Sequence, residues 1–168
     1  MAVVASAQEG LRSAGKATIL QLRAPQLTTR ELEGEASGLA AASPVPVVIS
    51  SRCDVALAVR AAGVNLPERD IGVGHARKIL GERLIGRSVH SLEAALQAEA
   101  DGADYVIFGP VWSSESHPDG IPAGVEALSQ VAHALRIPVL AIGGVTEERI
   151  AECHSAGAAG FAAIRLFQ

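Results

Sequence analysis

The chain has 168 residues, of which 49% are hydrophobic but only 3% aromatic, and its formal net charge is -4. Its core must therefore consist mainly of Ala, Val, Ile and Leu, as in parallel sheets that are covered by helices. Acidic and basic residues are interspersed, which argues against nucleic acid or a membrane surface as the main partner. We expect a small-molecule ligand and one domain that spans residues 1–168.

The two cysteines, Cys53 and Cys153, lie far apart and lack the spacing of a metal site. They predict buried thiols in a reducing compartment. No stretch approaches the roughly 20 apolar residues of a membrane span, and the N-terminal sequence lacks the basic and apolar regions of a signal peptide. These features predict a cytoplasmic protein without a membrane partner.

Short apolar segments recur along the chain, each preceded by a glycine or a proline that ends a helical window. In chain order they are residues 17–20, 46–49, 64–66, 84–86, 105–108, 138–142 and 160–164. Strands that alternate with helices in this way predict β-α-β units and a parallel sheet. A closed barrel needs an eighth strand, for which residues 2–5 are a short candidate. The alternative is an open doubly wound sheet, but its GxGxxG fingerprint is missing.

The strand at residues 17–20 continues into Gln21 and Arg23, whose side chains share one face because strand side chains alternate. If both point into a barrel near the strand's carboxyl end, burying them without a polar partner is costly. A ligand or a buried carboxylate can supply that partner, and both alternatives stay open.

Residues 87–90 follow another strand and lead into a helix. His90 or Ser91 suits the N-cap of that helix, and Glu93 suits the positive end of its dipole. Ser88 has no such role, so we expect it to hydrogen-bond a ligand from the strand end.

Two consecutive glycines, Gly143 and Gly144, follow an apolar strand and precede a helix whose predicted N-cap is Thr146. One glycine suffices for a tight turn, and the second allows the backbone to approach a ligand closely. Because barrels commonly bind phosphate on the loops after strands seven and eight, this turn predicts a phosphate site.

The stretch 102–120, GADYVIFGPVWSSESHPDG, begins as a buried strand and continues through a Gly-Pro turn into a long loop rich in hydroxyl groups. Such long loops are uncommon in compact domains unless they are functional or disordered. Ser114, Ser116 and His117 are its candidate ligand contacts. Trp112, the only tryptophan, is either a hydrophobic plug beneath the loop or a ligand contact.

Taken together, these motifs resemble the family of thiamine phosphate synthases and their TenI-type relatives. The matching stretches cover nearly the whole chain and read LQLRAPQLTTREL, PVVISSRCDVALAVRAAGVNLPERDI, IGRSVHSLEAALQAEADGADYVIFGPVW, IPVLAIGGVTEERI and AGAAGFAAI. The resemblance implies an α/β fold, a (βα)8 TIM barrel of the thiamine phosphate synthase type, shortened at the first strand and the last helix. It also implies a role in thiamine biosynthesis.

In the synthases, a pyrimidine pyrophosphate and a thiazole phosphate are joined with loss of pyrophosphate, assisted by Mg²⁺. The resemblance implies that several residues of this chain bind those groups. They are Gln21, Arg23 and Ser88 on the pyrimidine side, Ser114 and Ser116 in the long loop, Gly143 and Gly144 at the thiazole phosphate, and Asp70 at the metal.

The chain also departs from the family pattern. Ala24-Pro25 stands where the family's strand continues into a lysine, and His117 stands in place of a second lysine. Ser51 replaces a second metal carboxylate. Fewer positive charges at the point where pyrophosphate leaves favour binding of a thiazole phosphate, or a related thiamine intermediate, without synthase turnover. An active transferase of the synthase type is the first alternative, in which case Mg²⁺ is required.

Two further alternatives are a TenI-type thiazole tautomerase and a non-catalytic regulatory protein. The tautomerase position that holds a histidine in the family is Pro110 here, so His90 and His117 are the candidate proton-transfer residues. The implied partner is a small phosphorylated thiazole or pyrimidine. A gap at the first strand would expose strand edges that a second copy of the chain can cover, which makes a homo-oligomer an open expectation.

Overall fold

The computed structural model describes residues 1–113 and 121–167, so Ser114, Ser116 and His117 lie outside the described residues. Eight strands alternate with helices along the chain. The strands are β1 (Ala2–Val4), β2 (Leu20–Leu22), β3 (Val47–Ser50), β4 (Gly63–Leu66), β5 (Leu84–Val89), β6 (Tyr105–Phe108), β7 (Val139–Ile142) and β8 (Gly160–Ala162).

The intervening helices cover the outside of the sheet. They are α1 (Ala7–Ser13), α2 (Thr29–Ala42), α3 (Cys53–Ala58), α4 (Val73–Leu80), α5 (Leu92–Ala100), α6 (Gly124–Ala134) and α7 (Ile150–Ser155), with short 3-10 turns at Glu147–Arg149 and Arg165–Phe167. The Ser91 side chain accepts a hydrogen bond from the Ala94 amide and caps α5, as the sequence predicts. Within the described residues, every helix is too short or too polar to span a bilayer.

The sheet is parallel throughout, and its strands neighbour one another in chain order from β1 to β8. A parallel bridge between Ala2 and Ala163 joins the end of the sheet to its beginning. The Val3 amide donates to the Ala163 carbonyl at 2.9 Å, and the Ala163 amide donates to the Met1 carbonyl at 3.1 Å. These contacts give the predicted (βα)8 barrel.

The first strand is short, as the sequence predicts, but the sheet is continuous across it. β1 is only three residues long, yet it pairs with β2 along its whole length and reaches Ala163 on its other side. All three residues of β1 are buried, because the strand is apolar and fills the closing position of the barrel. The exposed strand edge that would have favoured a homo-oligomer is therefore missing at this point.

Side chains of the strands alternate between two packed layers. Those facing the helices form the larger core, which includes Leu20, Leu22, Ile49, Leu66 and Phe108. Those facing the barrel axis form a smaller cluster made of Met1, Val3, Val48, Tyr105, Ile107 and Ala162. The low aromatic content is consistent with this cluster, in which Tyr105 is the one aromatic residue among the buried members.

Two of the strands that differ in extent from the predicted segments carry predicted site residues. β2 begins at Leu20 and contains Gln21, and β5 continues to Val89, so Ser88 lies within it. The extension of β5 follows from its pairing with β6, where Ser88 lies opposite Ile107 and Val89 opposite Phe108. Both polar residues are thus held by a strand, which orients them more rigidly than a loop does.

Candidate functional site

Four neighbouring strands turn a polar side chain toward the barrel axis at or near their carboxyl ends. These residues, which we call the polar arc, are Gln21, Ser50, Asn65 and Ser88 on β2, β3, β4 and β5. Their orientation follows from alternation, because each has at least one apolar strand neighbour in the helix-facing core. Gln21 and Asn65 are among the few buried polar residues, with exposed fractions of 4% and 2%. The barrel interior is therefore polar on one side and apolar on the other.

Asn65 and Ser88 contact each other within the polar arc. The Asn65 Nδ2 atom donates to Ser88 Oγ at 2.9 Å. The Asn65 Oδ1 atom is buried and has no hydrogen-bond partner among the described residues, and the same holds for the hydroxyl of Tyr105. Unpaired buried polar atoms are costly, so their presence in the barrel indicates a place where a ligand or a water molecule is accommodated.

Arg23 does not share the position of Gln21. It follows the end of β2 and is exposed, while Gln21 is buried. The Arg23 amide donates to the Val4 carbonyl at 2.8 Å, which extends the pairing with β1 by one residue. Arg23 therefore lies just beyond the last residue of β2, with its side chain exposed at the barrel mouth, and its contact with a ligand stays a prediction.

Asp70 lies on the loop between β4 and α4. Its Oδ1 atom accepts a hydrogen bond from the Ile71 amide at 2.7 Å. The guanidinium of Arg87 holds the same loop by donating to the carbonyls of Glu68 at 2.6 Å and Ile71 at 2.8 Å. Burial raises the pKa of the nearby Cys53 thiol, and the negative charges of Asp70 and Asp54 raise it further.

The described residues contain no group of three or more His, Cys, Asp or Glu side chains that could hold a metal ion. Ser51, where the family has a second carboxylate, follows β3 and adopts a left-handed backbone with φ of 67°. The next residue, Arg52, pairs with Asp54 through two contacts, at 2.8 and 2.6 Å. Hydrogen bonding to Arg52 lowers the pKa of Asp54 to about 2, so this carboxylate is committed to the arginine.

His90 spans the top of β5 from the β4 loop to the β6 loop. Its Nδ1 atom contacts the Gly109 carbonyl oxygen, and its Nε2 atom lies 3.8 Å from Glu68 Oε2. The Glu68 Oε2 atom is buried and accepts no hydrogen bond from the described residues. The carbonyl can only accept, so Nδ1 carries a proton in this arrangement. His90 is thereby oriented at the barrel mouth, with most of its side chain exposed.

The loop after β7, residues 143–146, has its carbonyl groups tied to neighbouring elements. The Ile142 carbonyl accepts from the Val111 amide at 2.8 Å, and the Gly143 carbonyl accepts from the Trp112 amide at 3.0 Å. The Gly144 carbonyl accepts from Arg149 Nη1 at 2.6 Å. Three successive peptide groups are therefore held by their oxygen atoms.

The amide groups of the same loop face the other way. In a planar trans peptide, the N–H points opposite to the preceding carbonyl, so the amides of Gly144 and Val145 point away from these contacts. Neither amide donates to an acceptor among the described residues. Gly143 and Gly144 have φ values of 91° and 68°, a backbone that glycine adopts readily. Successive free amides of this kind form an anion-binding concavity.

Both glycines are also required by packing. A Cβ atom on Gly143 would lie 2.6 Å from the Cα of Pro110, and one on Gly144 would lie 2.7 Å from the Cβ of Trp112. Close contact with the loop after β6 therefore explains why a glycine is needed at position 144, and the sequence alone does not reveal this contact. Trp112 is half-buried and packs against the helix-facing core, in agreement with the plug alternative.

Comparison with known proteins identifies the family. The family model for thiamine monophosphate synthase matches residues 2–167. The chain belongs to the thiamine monophosphate synthase family. The thiamine-phosphate synthase of Chloroflexus aurantiacus is 39% identical over 154 residues, which span 89% of this chain and 71% of that protein. The thiamine-phosphate synthase of Pyrococcus horikoshii is 38% identical over 164 residues, which span 96% of this chain and 78% of the relative.

Solved structures agree with this assignment. The thiamine phosphate pyrophosphorylase from Pyrococcus furiosus superposes with a TM-score of 0.86 at 35% identity, and the match covers 97% of this chain and 84% of the other. Both the family and the barrel predicted from the sequence motifs are therefore confirmed.

Within this thiamine monophosphate synthase family member, the predicted site residues lie at separate places around the carboxyl end of the barrel. Gln21 and Ser88 lie on the polar arc, and Gly143 and Gly144 lie on the far side of β6 from them. Asp70 lies on the loop after β4, outside the arc. The sequence motifs did not indicate Asn65 or Arg149. Asn65 could have been recognised as a polar residue in an otherwise apolar strand, two positions after Gly63. Nothing in the local sequence distinguishes Arg149 from a surface arginine.

Proposed function

We propose that this family member binds a thiazole phosphate, or a closely related phosphorylated thiamine intermediate, at the carboxyl end of its barrel. The phosphate binds the loop after β7, where the amides of Gly144 and Val145 donate to its oxygens. The observation that supports this most strongly is that these amides have no acceptor among residues 1–113 and 121–167, while three adjacent carbonyls each accept a hydrogen bond. Fixed amide donors bind anions without a reorganisation cost.

The rest of the ligand extends from the phosphate toward the barrel axis. The wall next to the β7 loop is apolar, formed by Ile107 and Ile142, and suits a sulfur-containing aromatic ring. The polar arc lies across the axis and offers Gln21, Asn65 and Ser88 to a nitrogen-rich ring. We assign the pyrimidine side to the arc because a heterocycle with ring nitrogens and an amino group satisfies the donors and acceptors that the arc presents.

A second candidate function is the synthase reaction itself. The close relatives named thiamine-phosphate synthase favour it, as do Gln21 and Ser88 on the arc. In that reaction, Gln21 and Ser88 orient the pyrimidine, the β7 loop holds the thiazole phosphate, and Arg23 faces the pyrophosphate from the exposed end of β2. Joining the two rings then needs their reacting atoms to meet between the arc and the β7 loop.

Asp70 is suited to bind a magnesium ion that is also coordinated by a pyrophosphate. The described residues leave its second carboxylate oxygen without a hydrogen bond, and Mg²⁺ in phosphate-transfer sites is often held by one or two carboxylates plus the substrate phosphates. When bound, the ion would offset negative charge on the leaving pyrophosphate. Ser51 offers a hydroxyl in place of a second carboxylate. Together with the missing lysines, this is the reason to rank binding above synthase turnover.

A tautomerase role is supported only by His90. Its imidazole is oriented by Gly109 and Glu68 at the barrel mouth, one strand from the β6 loop that carries Pro110. Proline has no proton to transfer, so a proton-transfer function at this site would depend on His90 or on His117, which lies outside the described residues.

A binding and turnover experiment tests these assignments together. Titration calorimetry with thiazole phosphate, and separately with the same thiazole lacking the phosphate, should give binding of the first only. Incubation with thiazole phosphate, the pyrimidine pyrophosphate and Mg²⁺ then reports coupling through the appearance of thiamine phosphate. Binding without product supports the first candidate, product at the rate of a family synthase run in parallel supports the second, and no binding refutes both.

A further inference from the structure

We propose that Arg149 is a positioning residue for the phosphate site, because it clamps the loop after β6 onto the loop after β7. The inference rests on the proposed function, in which the amides of Gly144 and Val145 bind the phosphate. Arg149 itself acts on the far side of those peptide groups and does not touch the ligand. No other described side chain bonds to the carbonyl of Gly144.

The guanidinium group makes two contacts at once. Its Nη1 atom donates to the Gly144 carbonyl at 2.6 Å, and its central carbon lies 5.0 Å from the centroid of the Trp112 ring. A guanidinium over an indole face is attracted by the negative potential of the ring. The Arg149 amide donates to the Thr146 carbonyl at 3.1 Å, which turns the backbone so that the side chain returns to its own loop.

The hydrogen bond to Gly144 sets the direction of an amide that would bind phosphate. The Gly144 carbonyl and the Val145 N–H belong to one planar trans peptide and point in opposite directions. While Arg149 holds the oxygen, the Val145 N–H is turned to the opposite side of the loop. Glycine has few barriers to rotation of its peptide groups, so without Arg149 this peptide plane is free to turn.

The stacking on Trp112 keeps the two loops together. A Cβ at Gly144 would lie 2.6 Å from the Ser113 carbonyl and 2.7 Å from the Trp112 Cβ, so the loops are already in direct contact. The Trp112 amide also donates to Gly143. Phosphate affinity is therefore coupled to the position of Trp112, and Arg149 is the side chain that contacts both loops.

Trp112 provides a direct readout, because it is the only tryptophan of the chain. We would compare the wild-type protein with Arg149→Met and Arg149→Lys. Arg136→Met is the matched control, since Arg136 is an exposed arginine next to the opposite end of β7. The measurements are acrylamide quenching of Trp112 without ligand and the Kd for thiazole phosphate, with inorganic phosphate as a second probe.

Arg149→Met should raise the quenching of Trp112 and weaken thiazole phosphate binding about tenfold, the size expected for losing a charge-assisted hydrogen bond. Arg149→Lys should recover part of both effects, and Arg136→Met should change neither. All comparisons are made where circular dichroism shows each variant to be fully folded, so that a loss of stability alone does not alter the Kd.

Several results would overturn the proposal. If the wild-type protein binds neither probe, the proposed phosphate site and the role of Arg149 both fail. If the wild-type protein binds and Arg149→Met binds equally well, only the role of Arg149 fails. If the difference between the two proteins vanishes in about 0.5 M salt, where exposed charges are screened, Arg149 attracts the phosphate directly instead of positioning the loop.

Discussion

The Nδ2 atom of Asn65 on β4 donates to the Oγ atom of Ser88 on β5 at 2.9 Å, inside the barrel. This contact orients the Ser88 hydroxyl, which the sequence motifs had indicated only as a ligand contact. It also leaves Asn65 Oδ1 buried without a partner among the described residues. The residue proposed to contact a ligand, Ser88, is therefore also part of a buried hydrogen bond between two strands.

Replacing Ser88 with alanine should destabilise the protein by about 1–3 kcal/mol, because both polar atoms of the Asn65 amide would then be buried without a partner. Urea unfolding measures this change. Ser88→Thr, which keeps the hydroxyl, is the control and should cost less. Equal stability of Ser88→Ala and wild type would mean that a water molecule or a rearranged Asn65 already satisfies the amide.

The charge of Asp70 should be detectable through Cys53. Burial and the carboxylates of Asp70 and Asp54 raise the pKa of this thiol, so less of the reactive thiolate exists at a given pH. Asp70→Asn removes one negative charge, lowers that pKa and should speed alkylation of Cys53 by iodoacetamide at about pH 8. Peptide mass spectrometry follows the rate at each cysteine.

Cys153 is the internal control for that experiment. It is also buried, and the pKa of its thiol is raised by burial and by Glu152, without a contribution from Asp70. Its alkylation rate should be the same in both proteins. An equal acceleration at both cysteines would instead indicate that Asp70→Asn loosens the whole barrel.

Substitutions at Ser51 test whether the missing second metal carboxylate limits synthase turnover. Its left-handed backbone is one that asparagine and aspartate adopt more readily than most residues, so both should be tolerated there. Ser51→Asp adds a carboxylate at the position of the second metal ligand of the family and should increase coupling of the two precursors in the presence of Mg²⁺.

The matched control is Ser51→Asn, which has the same backbone preference but no charge. It should leave the coupling rate near that of the wild-type protein. If Ser51→Asp and Ser51→Asn behave alike, the missing carboxylate does not limit turnover.

Gly144→Val should abolish thiazole phosphate binding, because a side chain at this position collides with Trp112 and Ser113 and has to adopt a left-handed backbone. Gly102→Ala controls for backbone strain alone. Gly102 has a φ of 90°, and a Cβ there meets nothing within 4 Å. The control should lower thermal stability without changing the Kd, whereas unchanged affinity in Gly144→Val would place the phosphate elsewhere.

The sequence predicted the barrel well, because alternation and the glycines or prolines before each strand are local signals. Tyr105–Phe108 was predicted to the residue. β1 was harder to predict, since three apolar residues have little local signal and their strand depends on pairing with Ala163 and β2. Only the closed barrel supplies those partners.

The site was predicted less completely, for reasons that are also physical. Alternation placed Gln21 correctly, but it does not indicate that the side chain of Arg23, two residues later, is exposed at the end of β2. The sequence predicted that Gly144 lets the backbone approach a ligand closely. In the fold, the atoms nearest to a Cβ at this position belong to Trp112 and Ser113. Contacts between loops that are far apart in sequence, including Arg149 on Trp112, have no local signature.

We propose that phosphate binds the amides of the loop after β7. A crystal structure of the protein in complex with thiazole phosphate tests it most directly. We predict phosphate oxygens within hydrogen-bond distance of the Gly144 and Val145 nitrogens, with the ring directed toward the barrel axis. A phosphate bound instead beside Arg23 or Asp70, with the Gly144 and Val145 amides free of ligand, would contradict the account.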